Sequence, residues 1–475
     1  VKLRIKSLGP ISEESEIELG DLTVFFGPPN SGKSTVLRAI YYSLNTFGWE
    51  LLSSKKPGYG LLNISYEIVD EKTVKLIFTP SDLFIRQSLP EGDFTFEPFS
   101  FIDFIKTHKV YERGIKGNVK FTSIVSPSEC DEKVIKRLGE IGVNFEAEII
   151  GNKGYARILT AIEGISESCR DYLYHVIAEG IVEEIGKRIY SKLELEFWKE
   201  MSKRESISNV LLIPYNRSLV AYEVVNIISR ISQSTNNLLV LSDEFEEALR
   251  KSAWVAGSLL DVIELLFFYF RVLQSSSLLK RFGEGDKIYR ILKPLIPGNV
   301  KLSENGELYY IEKKVIPWRF VSASIMEVIS LLLTLREREI VLYEEPESQF
   351  HEKLQILMGL ILYALTTTNK LVITTHSQTI LYTLAFLSFL KPTSEEIIKL
   401  LDSLEIKNDE LVENILEANK KIVRFYYFHD GRVEEISDET ITKGIPSFVD
   451  VLDKELKWFS EIYLSRLRKG AVSKE

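Results

Sequence analysis

FFGPPNSGKSTVLRAI, residues 25–40, leaves an apolar run through a loop of glycine and proline and then turns at once into helix formers. The run before it, EIELGDLTVFF, reads as strand, and the run after it puts Val36, Leu37, Ile40, Tyr41 and Leu44 at helical spacing. Between the two, GPPNSGKST fits the pattern GxxxxGK[ST] in the strand–loop–helix setting that the pattern requires. The physical reason is direct. Gly27 and Gly32 permit backbone angles that a Cβ forbids. The loop of Gly27, Pro28, Pro29, Asn30, Ser31, Gly32, Lys33, Ser34 and Thr35 can then turn its N–H groups inward around a polyphosphate. A helix starting near Ser34 aims its positive end at the same place. Lys33 is expected to reach the β and γ phosphates and the Ser34 hydroxyl to ligate Mg²⁺. A glycine-rich turn that holds nothing explains neither the full pattern nor both of its flanks.

A phosphate loop alone does not cleave a triphosphate; the reaction also needs a carboxylate at the metal and a group that positions water. About 300 residues on, VLYEEPESQFH (341–351) supplies both: a short apolar strand from whose carboxyl end two acids emerge, the edge where open α/β sheets bind ligands. Glu344 is expected to hold Mg²⁺ and Glu345 to orient and deprotonate the attacking water. A second apolar strand, LVITTHS (371–377), ends at His376, placed to donate to the γ-phosphate.

In this order, GPPNSGKST, a serine-led helix, VLYEEPESQFH and VITTHS, the chain resembles the ABC-type ATPases of the SMC, RecF and OLD group, and within it the OLD-like proteins, whose EEPE is followed by a histidine and then by THS. The resemblance is strong over the first 45 residues and over about 310–390. It implies ATP and Mg²⁺ as cofactors and a homodimer that sandwiches two ATP molecules head to head. Each phosphate loop is then completed by a signature helix of the second copy, here VSASIMEVISLLL from Val321, with Ser322 as the signature serine and Ser324 beside it. Ala323 and Ser324 stand where the family usually has glycine, which points also to a nucleotide-gated scaffold with little turnover. The stretch NVLLIPYNR ends in Asn216 and Arg217 where the family usually has glutamine; OLD-like relatives resemble this, and Arg217 is a candidate to sense phosphate or brace the site, the alternative being a surface arginine after a turn.

The remaining sequence sets limits. The chain has 475 residues, 45% of them hydrophobic, a net charge of -9 and two cysteines, Cys130 and Cys169, in no CxxC pair, so neither a zinc ribbon nor a disulfide framework is expected and a cytoplasmic setting fits. VKLRIKSLGPIS lacks the apolar run of a secretory signal, and the greasiest segments are too short or too interrupted to span a membrane. Residues 391–475 contain no DxD, and the histidines at 108, 175, 351, 376 and 429 are scattered, so no nuclease centre is expected in this chain. A separate nuclease or effector chain and DNA are candidate partners. The basic run Lys187, Arg188, Lys192, Lys199, Lys203 and Arg204 is interleaved with glutamates and reads first as a solvated helix face, second as a stripe for DNA. A GTPase is disfavoured by the lack of NKxD, and a transporter subunit by the lack of an LSGGQ-type turn.

The fold class expected is α/β, a P-loop NTPase head of the ABC type with a mixed central sheet, an antiparallel β layer and a large, mainly helical insertion. Residues 1–100 form the N-terminal lobe, 101–300 the insertion with a strand at 209–214 returning to the head, 301–390 the C-terminal lobe, and 391–475 charged helices and a hairpin IVRFYYFHDGRVEEI turning at Asp430-Gly431.

Overall fold

The computed structural model describes residues 1–44, 62–80, 92–97, 100–108, 110–119, 140, 142–160, 167–215, 287–296, 298–302, 308–317, 320–442 and 444. In chain order the first elements are β1 (Lys2–Leu8), β2 (Ser15–Glu18), β3 (Leu22–Phe26), α1 (Lys33–Leu44), β4 (Leu62–Asp70), β5 (Thr73–Pro80), β6 (Gly92–Glu97) and α2 (Phe101–Thr107). There follow β7 (Val110–Val119), β8 (Val143–Gly151), β9 (Lys153–Ile158), α3 (Glu167–Glu205), β10 (Asn209–Ile213), α4 (Lys287–Leu292), β11 (Asn299–Leu302), β12 (Leu308–Ile311) and β13 (Val315–Pro317). The rest are α5 (Ala323–Thr334), β14 (Glu339–Glu344), α6 (Glu352–Leu365), β15 (Lys370–Thr375), α7 (Gln378–Leu390), α8 (Ser394–Ser403), α9 (Asp409–Ala418), β16 (Val423–His429), β17 (Arg432–Ile436) and α10 (Asp438–Thr442). They fall into two compact units, Val1–Gly9 with Thr35–Val210, and Pro10–Ser34 with Leu211–Glu475.

The first unit is built on a five-stranded antiparallel sheet in the order β4-β5-β9-β8-β7. Its strands alternate as a half-buried sheet must: Val143, Phe145, Ala147 and Ile149 of β8 point inward while the residues between them face solvent. The 39-residue α3 packs against β4 and β7. Its buried row, Leu173, Ile177, Ile181, Ile185, Ile189, Leu193, Phe197 and Met201, recurs every four residues; at 3.6 residues per turn such a row advances about 40° per step, so the buried surface winds round the helix along its length. Much of the basic run is paired: Lys187 with Glu183 at 2.6 Å and Arg204 with Glu200 at 2.9 Å along the helix, and Arg188 and Lys192 both with Glu112 of β7 at 3.4 and 3.3 Å.

Three strands therefore lie in a stretch read as mainly helical. The period-2 alternation of VNFEAEIIG and KGYARI around Asn152 is the signal that gives β8 and β9; it was masked by the stronger helical pattern that follows. Cys169 is a further correction. It is buried and disulfide-bonded, although the sequence suggested no disulfide. Spacing reveals only local cysteine pairs; pairs remote in sequence are joined by the fold. The other cysteine, Cys130, lies outside the described residues, as do Arg217, the strand expected at DLFIRQSL, most of the helical stretch 217–295 and the terminal helix expected from Pro446.

The second unit holds a six-stranded sheet in the order β10-β14-β15-β3-β16-β17. β14, β15, β3 and β16 run parallel, and β17 closes the edge antiparallel. β3 (LTVFF) and β14 (EIVLYE) are buried along their whole length, as strands of a parallel sheet covered on both faces are. Helices α4 to α7, α8 and α9 supply the apolar cover, with Leu357, Leu360 and Ile361 of α6 against Leu381 and Leu384 of α7 in one continuous core with Val24, Phe26, Val341 and Ile373 of the sheet. The hairpin with its turn at Asp430-Gly431 forms as expected, but it belongs to this central sheet. β16 pairs directly with β3, Tyr427 opposite Phe26, and Phe26 stacks on Tyr427 with ring centroids 5.2 Å apart.

Candidate active site

Register decides what meets at the carboxyl edge of this sheet. Glu344 lies opposite Thr374, Thr374 opposite Phe25, and Thr375 opposite Phe26. The three strands thus end level with one another, and the next residues of each, the loop from Gly27, the acids from Glu345 and the turn at His376, leave the sheet on the same side.

The loop has the backbone of a cradle. Gly27 sits at φ +139°, and a Cβ on it would lie 2.2 Å from the carbonyl oxygen of Phe428 in β16. Gly32 is at φ +102°, with the Ile11 side chain 3.0 Å from where its Cβ would stand. Asn30 also takes a left-handed conformation, φ 58°, which asparagine tolerates better than most residues. Lys33 opens α1 and its side chain folds back over the loop. Its Nζ donates to the carbonyl oxygens of Gly27 at 3.0 Å and Pro28 at 2.7 Å and to Ser31 Oγ at 3.3 Å. The side chain is only 4% exposed. Burial lowers its pKa to about 8 against the opposing pull of the Glu345 and Glu347 carboxylates.

The acids divide by environment. Glu344 is the last residue of β14 and buried at 4% exposure; its Oε2 accepts the backbone N–H of Tyr215, just past β10, at 3.2 Å. Glu345 leaves the strand in a left-handed conformation, φ 45°, a strain of about 1–3 kcal/mol of the kind that collects at working sites. Its backbone N–H is anchored on Thr374, to the carbonyl oxygen at 2.9 Å and Oγ1 at 3.3 Å. Its carboxylate lies 3.9 Å from His376 Nε2, with both side chains about one-third exposed. Burial, and then the charge of Lys33, lower the His376 pKa, which favours a neutral imidazole at neutral pH. Lys33, Glu345 and His376 are therefore close enough to feel one another's charge.

Glu347 is the residue that sequence reading passed over. It stands in the EEPE turn with its carboxylate mostly buried, and burial raises its pKa although four hydrogen bonds oppose the rise. Those bonds include the Thr375 hydroxyl at 2.9 Å and the backbone N–H groups of His376 and Ser377 at 2.6 and 3.1 Å. The sequence signal was the last glutamate of EEPE itself, whose partners lie some thirty residues on and are visible only when β14 and β15 are paired.

Ser322 caps α5, its Oγ accepting from the Ile325 N–H at 3.4 Å, and the cap is exposed. Ser324 behaves differently: its Oγ donates to the carbonyl oxygen of Gln349, in the turn that follows Glu347, at 2.5 Å. Ser322 and Ser324 are thus tied to the end of α5 and to the loop beyond β14; neither is seen against the phosphate loop of its own copy.

The donor set suits a nucleotide with a hard divalent ion. Among the described residues no group of three or more His, Cys, Asp or Glu gathers to cage a metal. Magnesium does not need a cage: one hydroxyl and one carboxylate, for which Ser34 and Glu344 are the candidates, would leave the remaining positions to water and phosphate oxygens. The buried Lys33 amine, held over the loop by the carbonyl oxygens of Gly27 and Pro28, suits an anionic ligand such as a polyphosphate.

The model of the AAA ATPase domain family matches residues 1–381. No curated protein matches the chain by sequence. Among solved structures, the SmcHead bound to the C-winged helix domain of ScpA is 10% identical, with 93% of this chain and 98% of that chain covered and a TM-score of 0.33. The SMC head domain from Thermotoga maritima is 11% identical, covering 92% and 97%, with a TM-score of 0.26. A bacterial ABC transporter cassette in a dimeric structure is 10% identical, covering 92% and 98%, with a TM-score of 0.27. With a family match that runs unbroken from the phosphate loop through the acids of β14 to the histidine after β15, the chain belongs to the AAA ATPase domain family and is an ATP hydrolase.

Proposed function

We propose that this ATPase is a switch of the ABC type, in which two copies close head to head on ATP and part on hydrolysis. In this reading Lys33 and the backbone N–H groups of the loop from Asn30 to Thr35 hold the β and γ phosphates, Pro28 and Pro29 having none to give, and Ser34 and Glu344 hold Mg²⁺. Glu345 takes the proton of the attacking water, and His376 donates to the γ-phosphate. Ser322, at the exposed N-terminus of α5, contacts the nucleotide of the second copy. The observation that carries the reading is the level ending of β14, β15 and β3, which brings Glu345 within 3.9 Å of His376 and both within electrostatic reach of Lys33. ATP hydrolysis by Glu345→Gln tests it. This variant keeps the shape and loses the base, so phosphate release should fall by about 10²–10⁴-fold while ATP still binds. A variant as fast as the parent removes Glu345 from the mechanism.

One observation favours a second reading, a nucleotide-gated scaffold that binds ATP and turns it over slowly: the α5 turn carries Ala323 and Ser324 in place of glycine, and Ser324 is engaged with Gln349. Steady-state phosphate release separates the two. The work driven by the switch, DNA maintenance or defence against mobile DNA with a nuclease or other effector on a separate chain, rests on the resemblance in the motifs. No helix among the described residues is long and apolar enough to cross a membrane. Phosphate release with and without duplex and single-stranded DNA at several salt concentrations tests the DNA arm; stimulation that fades steeply with salt is the expected result.

A further inference from the structure

We infer that Glu347 is a positioning residue for hydrolysis, acting through His376: its carboxylate clamps the turn between β15 and α7 and thereby sets the imidazole against the γ-phosphate side of the site. The inference rests on the role proposed above for His376. The geometry is specific. Glu347 Oε1 receives two consecutive backbone N–H groups, from His376 at 2.6 Å and Ser377 at 3.1 Å, and Oε2 receives the Thr375 hydroxyl at 2.9 Å. Every residue of the turn from Thr375 to Ser377 is thus bonded to one side chain. The next bonds hold the far side of the turn: Ser377 Oγ accepts from the Ile380 N–H at 3.1 Å and donates to Gln355 Oε1 of α6 at 2.6 Å.

A carboxylate is the group that this turn needs. Two adjacent N–H groups pointing at one spot form an anion nest, and bonds to an ionised acceptor are about twice as strong as neutral ones. β15 and the first turn of α7 fix the ends of the loop; without Glu347 the His376 N–H loses its acceptor, the Ser377 N–H keeps only Thr375 Oγ1 at 3.0 Å, and His376 loses its registration relative to Glu345. Misplacement of a reacting group by about 1 Å costs on the order of 10²-fold in rate. The cost falls mainly on kcat: Glu347 reaches the phosphate loop only through its charge, which acts on Lys33, and losing that charge should move ATP affinity a few-fold at most.

The test is a double-mutant cycle on the full chain, read as kcat for phosphate release, ATP Kd and melting temperature for E347A, E347Q, H376A and E347A/H376A. E347A should lower kcat by about 10²-fold, with ATP Kd within a few-fold of the parent. E347Q, whose amide oxygen can still accept both N–H groups, should recover most of the loss. Adding E347A to H376A should cost less than threefold more, because the group that Glu347 positions is already gone. Should E347A fail to fold, T375V, which removes one bond to the same carboxylate, takes its place in the cycle with a smaller loss of the same sign. Full multiplication of the two single losses in the double mutant, or an E347A enzyme with parental kcat, overturns the inference while leaving His376 in its role. An H376A enzyme with parental kcat overturns both.

Discussion

At the scale of single residues, the proposed reading makes Lys33 responsible for both ATP binding and its pH dependence. Its amine is parked on the carbonyl oxygens of Gly27 and Pro28, so a triphosphate must displace those bonds and repay them with charge. Lys33→Ala removes the charge, and ATP affinity should fall below detection by calorimetry. The sign of the pH effect follows from burial. With the amine near pKa 8 in the free protein, the charged form that an anion prefers is depleted as pH rises past 8. Affinity for magnesium-free ATP should therefore weaken above about pH 8, approaching tenfold per pH unit, with proton uptake on binding. Lys33→Arg keeps its charge throughout this range and should flatten the dependence; an equally steep slope in that variant would assign the effect to another group. The residues of this scale were the most legible in the sequence. The phosphate loop, Glu344, Glu345 and His376 each sit at the end of a short apolar run whose chemistry is local. Glu347 was not legible, since its three partners are gathered by strand pairing and nothing within its own segment announces them.

At the scale of elements, the phosphate loop depends on a strand from the far end of the chain. Gly27 packs against the backbone of Phe428 so closely that a Cβ has no room, and its φ of +139° is denied to other residues. Gly27→Ala should lower stability by more than ~2 kcal/mol in denaturant unfolding and abolish ATP binding, since either β16 or the loop must move. Shortening the chain after Lys421 is the complementary experiment. It deletes β16 and β17 and exposes the flank of β3, so the product should lose ATP binding and aggregate through the freed edge. A soluble truncated chain with parental affinity would show that the hairpin is dispensable. The hairpin's turn could be read from HDGR and its alternating flanks. Its insertion beside β3 could not, because a charged helical stretch separates it from the other head strands and only tertiary pairing returns it to them. The strands β7 to β9 were missed for a related reason: each contains glycine, and they precede the 39-residue α3, whose periodicity dominates that part of the sequence.

At the scale of the whole molecule, charge shapes how two copies can meet. Each chain carries a net charge of -9, and bound nucleotide adds more negative charge to the face that is proposed to close. Like charge of this size opposes association at low ionic strength and is screened over about 10 Å at 0.1 M salt. Glu345→Gln with ATP and Mg²⁺ should therefore run as a dimer on a sizing column, and its dimer dissociation constant should fall as NaCl is raised from about 50 to 300 mM. Attraction between rim ion pairs would give the opposite trend. The exposed cap at Ser322 supplies the control. A bulky Ser322→Arg places a side chain where the second copy's nucleotide has to enter, yet in the monomer it faces solvent; ATP affinity per copy should hold while the dimer disappears. A Glu345→Gln chain that stays monomeric with saturating ATP at every salt concentration leaves a one-headed ATPase, and Ser322 then has no partner to contact.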